Sequence, residues 1–198
     1  MDVPAIVLAA VGALVLAGSV AGAQHPDIHP LERRVFRGVN GLPDWLYLPI
    51  WVPMQFGNLV VGTLAGLAVA LWVGDWRLAV AVVLAAGMKL VAERLLRERM
   101  AGFAEVRQRP GTSEPGAVLR GDVPQSGASF PSGHVILVAA VAALVVHVLS
   151  AGVVWVPFVL AALVLVGRVY VGAHNPLDVT AGLGTGLLVG GLLTLVLR

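Results

Sequence analysis

Pro131-Ser132-Gly133-His134 leads directly into Val135-Ile136-Leu137-Val138-Ala139-Ala140, so a helix breaker, a hydroxyl, a glycine and an imidazole stand at the mouth of an apolar run. A second mouth, Arg168-Val169-Tyr170-Val171-Gly172-Ala173-His174-Asn175-Pro176-Leu177-Asp178, joins the end of one apolar run to the start of the next. Histidines and charged side chains are costly beside lipid, so their clustering at the ends of apolar runs needs a chemical reason. Reading these runs as membrane helices decides the fold, because it turns two distant motifs into helix tips at one surface.

Composition supports that reading. Of 198 residues, 58% are hydrophobic and 12% charged, with mean hydropathy +0.90; soluble domains carry about a quarter charged residues. The absence of cysteine excludes disulfides, thiolate metal sites and cysteine nucleophiles. The basic residues are dispersed over loops and helix ends without interleaved aromatics, which argues against nucleic acid as a partner.

A membrane span needs about 20 mainly apolar residues. Val3–Ala23, Trp45–Val73, Leu78–Leu96, Val135–Leu149, Val153–Val171 and Leu177–Leu197 qualify, the fourth once Ser132, Gly133 and His134 are added. The whole chain, 1–198, therefore reads as a single all-α integral membrane domain, a polytopic bundle of about six helices. Ala21-Gly22-Ala23 looks like a signal cleavage site, but Met1-Asp2-Val3 lacks the positive start of a secretory signal, so the first span is read as retained.

Residues 24–44 hold Pro26, Pro30 and Pro43, three arginines (Arg33, Arg34, Arg37) and apolar residues at roughly helical spacing. That pattern predicts a short amphipathic segment along the interface. Trp45, Trp51, Trp72 and Trp76 bracket the second span as an aromatic belt would. Residues 97–131 form a long loop, basic at first and then rich in Gly, Pro and Ser; loops of that length in compact domains carry function or are disordered. Gly182, Gly186 and Gly190 recur every four residues in the last span, a stripe for close helix packing. Threading the spans back and forth brings Arg109, His134, Arg168, His174 and Asp178 to one face.

Ser132 is a good N-cap, and the free amides of the following helical turn form an anion site that Gly133 opens to a phosphoryl oxygen. His134 stands within reach of a leaving oxygen. Asn175 and Pro176 read as the cap and first residue of the last helix, with Asp178 in its first turn, near enough to accept a hydrogen bond from His174. A carboxylate so placed fixes the tautomer and frees the other nitrogen to attack. Arg168 offers a planar fork for phosphate oxygens. Each stretch alone also reads as a helix cap beside an interfacial histidine or a snorkelling arginine; their co-occurrence favours chemistry.

These residues resemble the type 2 phosphatidic acid phosphatase (PAP2) family, whose fold is shared with vanadium haloperoxidases. The family pattern is K-x6-R-P, then P-S-G-H, then S-R-x5-H-x3-D. The second motif is complete here. The first matches in Arg109-Pro110, with Gly102 where the lysine stands, and the third matches except for Gly167 in place of serine. The resemblance runs from about Trp45 to the end of the chain and implies a haloperoxidase-like helical core. It further implies that His174 is the nucleophile, forming a phosphohistidine, with Asp178 orienting it. His134 would protonate the leaving alcohol and then activate water. Arg109, Arg168, Ser132 and Gly133 would hold the phosphoryl oxygens, and arginines would supply the positive charge that a metal supplies elsewhere, so neither metal nor cofactor is expected.

The expected reaction is hydrolysis of a phosphomonoester or pyrophosphate on a membrane lipid, polyprenyl or glycerolipid. Arg99 and Arg107 are the candidates to replace the absent lysine. If neither does, a non-hydrolytic lipid-phosphate binder or a phosphatase-like partner protein is the alternative. His147, His25 and His29 read as structural or solvated, Gln55 and Asn58 as interhelical hydrogen-bonding groups, and Lys89 as a partner of Glu93. The surplus of arginines on the site side points to the cytoplasm by the positive-inside rule. The resemblance points outward from a bacterial plasma membrane. The face stays open at this level, and so does the oligomeric state.

Overall fold

The computed structural model describes residues 3–25, 27–101 and 107–197. Met1, Asp2, Pro26 and Gly102, used in the sequence reading, lie outside the described residues. The described chain is helical: α1 (Val3–Ala23), α2 (Pro30–Asn40), α3 (Tyr47–Met54), α4 (Leu59–Val73), α5 (Trp76–Ala101), α6 (Pro110–Ser113), α7 (Gly133–Val145), α8 (Val156–Tyr170) and α9 (Pro176–Leu197). One isolated bridge pairs Gln108 with Ala128 in the loop before α7.

Helix α9 is the axis of the bundle, because its small residues line two faces. A side chain at Gly182, Gly186 or Gly190 would strike Ser132, Ile136 or Ala140 of the α7 segment, whereas one at Gly184 or Gly191 would strike α1 at Gly12 or Ala5. Lipid gives helices no hydrophobic reason to associate, so close approach of backbones through small residues does that work. The contacts run in register for α7, which is parallel to α9, and in reverse for α1, which is antiparallel. Helix α7 is buried almost all round, with Val135, Ile136, Leu137 and Ala139 fully enclosed. Helices α5 and α8 run antiparallel to α7: Gly133 meets Glu93, Gly66 of α4 meets both Val82 and Val141, and Gly57 meets His134 and Val164. The late part of α5, the start of α7, the end of α8 and the start of α9 therefore share one end of the molecule, as the threading argument expects.

Helices α1 and α9 are each long and apolar enough to cross a membrane, while α7 and α8 are apolar but short. The expected second span, Trp45–Val73, is broken. Residues Asp44–Gly57 and Leu59–Val73 bend by 70° at Asn58. Pro53 inside α3 lacks an amide hydrogen. Asn58 then caps α4 by accepting from the Val60 and Val61 amides at 2.9 and 3.4 Å. Asn58 is thus a cap and not an interhelical group, and Gln55 donates within its own turn to the Trp51 carbonyl at 3.2 Å. Trp45 and Trp51 are exposed at the site end, and Trp72, Trp76 and Trp155 at the other, the arrangement of two interfacial belts. The chain is an integral membrane protein with an all-α fold.

Candidate active site

The loop joining α8 to α9 is fixed by its own backbone. Gly172 takes φ +77°, a left-handed conformation, and a side chain there would meet the Val118 carbonyl. That turn lets the Ala173 and His174 amides donate back to the Arg168 carbonyl at 3.1 and 3.3 Å. Arg120 staples the same corner from outside. Its guanidinium donates to the Asn40 and Tyr170 carbonyls at 2.8 Å each, pairs with Asp44, and lies 4.1 Å from the Tyr170 ring centre.

His174 emerges from this corner almost wholly buried. Its Nδ1 lies 3.8 Å from Asp178 Oδ2, an electrostatic contact longer than a closed hydrogen bond. Burial holds the imidazole below its ordinary pKa, and the Asp178 carboxylate opposes that shift without overcoming it. His174 is therefore neutral near pH 7, the state in which a ring nitrogen can attack. Asp178 is itself pinned. Its Oδ2 accepts the Asn175 amide at 2.8 Å, and its Oδ1 accepts Arg107 Nε at 3.1 Å. Asp178, at the third position of α9, thus caps the helix by reaching back to Asn175. The Asn175 side chain, expected to cap, donates instead to the Gln108 carbonyl and Ser113 Oγ.

Sequence reasoning missed Glu32 in this array and gave Arg107 a different role. Arg107 Nη2 donates to Glu32 Oε1 at 2.6 Å, and the same oxygen accepts the Leu177 amide at 3.0 Å. All three charged side chains are buried. Burial works against the Arg107 charge, but Asp178 and Glu32 outweigh it and raise its pKa. Arg107 is committed to carboxylates, so it does not replace the absent lysine; Arg99 is exposed at the end of α5 and does not replace it either. The only signal for Glu32 was its place in an amphipathic segment, where an acid normally faces water.

At the α7 mouth, the Ser132 amide donates to the Asp178 carbonyl at 2.9 Å, tying the two motifs together through backbone. Ser132 is fully buried, yet its hydroxyl makes no capping bond, and Ser132 Oγ and Arg168 Nε have no hydrogen-bond partner among the described residues. Buried polar atoms are nearly always paired, so these exceptions, with Glu32 Oε2, Arg107 Nη1, His174 Nδ1 and Asn175 Oδ1 around them, mark the cluster as a place for a ligand. Arg109 Nη1 holds the Ala173 carbonyl at 3.0 Å, and burial, with Arg97 nearby, lowers its pKa. His134 stands in the combined field of Arg168, His174, Lys89 and Arg109. The structure thus gathers all seven sequence-derived residues: His134, His174, Asp178, Arg109, Arg168, Ser132 and Gly133. Gly167 is different. A side chain there would collide with Ile50 and Met54 of α3, so packing fills the space that a serine would need.

A cavity of about 440 Å³ reaches this cluster, lined by Tyr47, Trp51, Arg120, Asp122, His134 and Arg168 among others. A second cavity, of about 310 Å³, is walled by apolar side chains of α4, α7 and α8. Gln55 lines one and Phe56 the other, and His134 of the first lies one helical turn from Val138 of the second.

The sequence model of the PAP2 superfamily matches residues 76–198. LpxE of Aquifex aeolicus has a similar solved structure, with TM-score 0.72 and 22% identity, over 85% of this chain and 97% of that one. So has a PAP2-type phosphatidylglycerolphosphate phosphatase of Bacillus subtilis, with TM-score 0.71 and 20% identity, over 93% of this chain and 94% of that one. No curated protein sequence matches significantly. At these identities the two structures establish a shared fold.

Proposed function

The chain belongs to the PAP2 superfamily, and on that premise we propose that it hydrolyses a phosphomonoester or pyrophosphate on a membrane lipid through a phosphohistidine. One observation carries the reading: a buried histidine backed by a carboxylate stands beside a pocket walled by His134 and Arg168, with the unpaired Ser132 hydroxyl at the same helix mouth.

In this reaction the phosphoryl oxygens accept from Arg109, Arg168, Ser132 Oγ and the first amides of α7. His174 Nε2 attacks phosphorus, and the bond to the lipid oxygen breaks as His134 delivers a proton to it. Water then gives a proton to His134 and attacks the phosphohistidine. The P–N bond breaks, inorganic phosphate leaves, and both imidazoles return to their starting states. Asp178 stabilises the charge that develops on His174, and the guanidinium groups stabilise the charge on phosphorus. The apolar cavity would take the first part of the lipid tail. The similar Bacillus subtilis structure is by name a phosphatidylglycerolphosphate phosphatase, which supports a lipid substrate over a soluble ester.

The rival reading is a protein that binds lipid phosphate without cleaving it. The glycines at 102 and 167 favour it. Purified protein in nanodiscs, tested against polyprenyl phosphate, polyprenyl pyrophosphate, phosphatidic acid and phosphatidylglycerol phosphate, separates the two. Release of inorganic phosphate that persists in chelator and vanishes in His174→Ala supports hydrolysis. Saturable phosphate binding with no release from any substrate supports the binder.

A further inference from the structure

The cradle at Gly133 is already in contact with an anion, and the anion belongs to the protein. Glu93 on α5 lies against Gly133 so closely that any side chain at 133 would overlap its carboxylate. One turn before it stands Lys89, the chain's single lysine, with Nζ 2.7 Å from Glu93 Oε2. One turn after it stands Arg97, with Nη2 3.5 Å from Glu93 Oε1. The Lys89 and Glu93 side chains are only 14% and 17% exposed. All three belong to the site: His134 feels Lys89, and Arg109 feels both Arg97 and Glu93.

We propose that Glu93 is the resident anion of the phosphoryl cradle, and that the substrate phosphoryl group displaces it and takes over Lys89 as a ligand. The inference rests on the phosphatase reading above and deepens it. A carboxylate and a phosphoryl group are both acceptor-only anions, so either can neutralise the same ammonium and guanidinium groups. An ammonium in a largely apolar surrounding requires a counter-ion at all times, and Glu93 supplies one between turnovers. Lys89 thereby replaces the cation absent at position 102, from a different helix. The exchange also sets a substrate class. A phosphomonoester dianion or a pyrophosphate outcompetes a single carboxylate, whereas the single charge of a phosphodiester only matches it.

The test measures inhibition by orthovanadate and the thermal shift produced by inorganic phosphate, for wild type, Glu93→Gln, Lys89→Met and the double variant. Removing the competing charge in Glu93→Gln is expected to tighten both oxyanions about 10-fold, and Lys89→Met to weaken them about 10-fold. The double variant is expected to stay weaker than Glu93→Gln by the same factor. A double variant as tight as Glu93→Gln would mean that Lys89 serves only to balance Glu93, and would overturn the proposal. Unchanged affinity in Glu93→Gln would do the same. Should Lys89→Met fail to fold, Lys89→Gln takes its place. On unaltered protein, methyl phosphate is expected to inhibit at least about 10-fold better than dimethyl phosphate, and equal inhibition would count against the exchange. The thermal shift needs no turnover. Wild type that releases no phosphate but follows this binding pattern would sink the phosphatase reading alone; active wild type without the pattern would sink this inference alone.

Discussion

The two histidine-bearing mouths are built in opposite ways. Around His174, the charged neighbours are tied to one another, Asp178 to Arg107 and Asn175, Arg107 to Glu32, and Glu32 to the first turn of α9, although Glu32 Oε2 and Arg107 Nη1 keep no partner among the described residues. Around His134, the cradle is loosely held, with an unpaired Ser132 hydroxyl and a Glu93 carboxylate resting against Gly133. The contrast suits the proposed division of labour. A nucleophile loses rate when misplaced by even 1 Å, so it benefits from a locked surround. A cradle must exchange one anion for another in every cycle, so its donors are left free to change partner.

The contrast can be broken most sharply at its locked side. His174→Ala is expected to reduce phosphate release by at least about 1,000-fold, measured on purified protein that retains its helical circular dichroism. Activity within tenfold of wild type would remove His174 from the chemistry. Next in size is Arg107→Met, which strands two buried carboxylates. Breaking buried pairs of this kind costs about 3–5 kcal/mol, to be read as a fall in thermal midpoint. A midpoint like that of wild type would show the array to be dispensable.

The loose side predicts the reverse pattern. Ser132→Ala removes a hydroxyl that bonds to nothing in the described chain, so the thermal midpoint should hold while kcat/KM falls about tenfold, or about 1.4 kcal/mol of transition-state binding. A drop in stability without loss of activity would make Ser132 a structural cap. The smallest effect is a matter of pH. Burial keeps His174 deprotonated below the ordinary histidine value of about 6.5, so the acid limb of kcat/KM should fall below that pH. A limb at or above 6.5 would describe a solvated imidazole.

Much of this was legible in the sequence, because membrane helices announce themselves by composition and the motifs sit at their ends. The apolar helices, the common face and the seven clustered residues follow from that, although of the six expected spans only the first and last are, among the described residues, long and apolar enough by themselves to cross a membrane. Three things did not. The break at Asn58 depends on Pro53 and on the close approach of Gly57 to His134, which hydropathy does not register. Glu32 and Arg107 reach the site from an interfacial helix and a loop, where charged residues usually face water, so burial had to be seen to be believed. Gly167 read as a lost donor, and only the packing of Ile50 and Met54 shows that the space is filled. Local rules read the helices well, but contacts between distant segments carry the second layer of the site.

The apolar cavity between α4, α7 and α8 has a kinetic consequence. If the proposed lipid tail enters by this path, the substrate never passes through bulk water and the enzyme meets it by diffusion in two dimensions. Its saturation would then follow the mole fraction of substrate among the surrounding lipids. Diluting the vesicles should leave turnover per enzyme unchanged, while diluting the substrate within each vesicle should slow it.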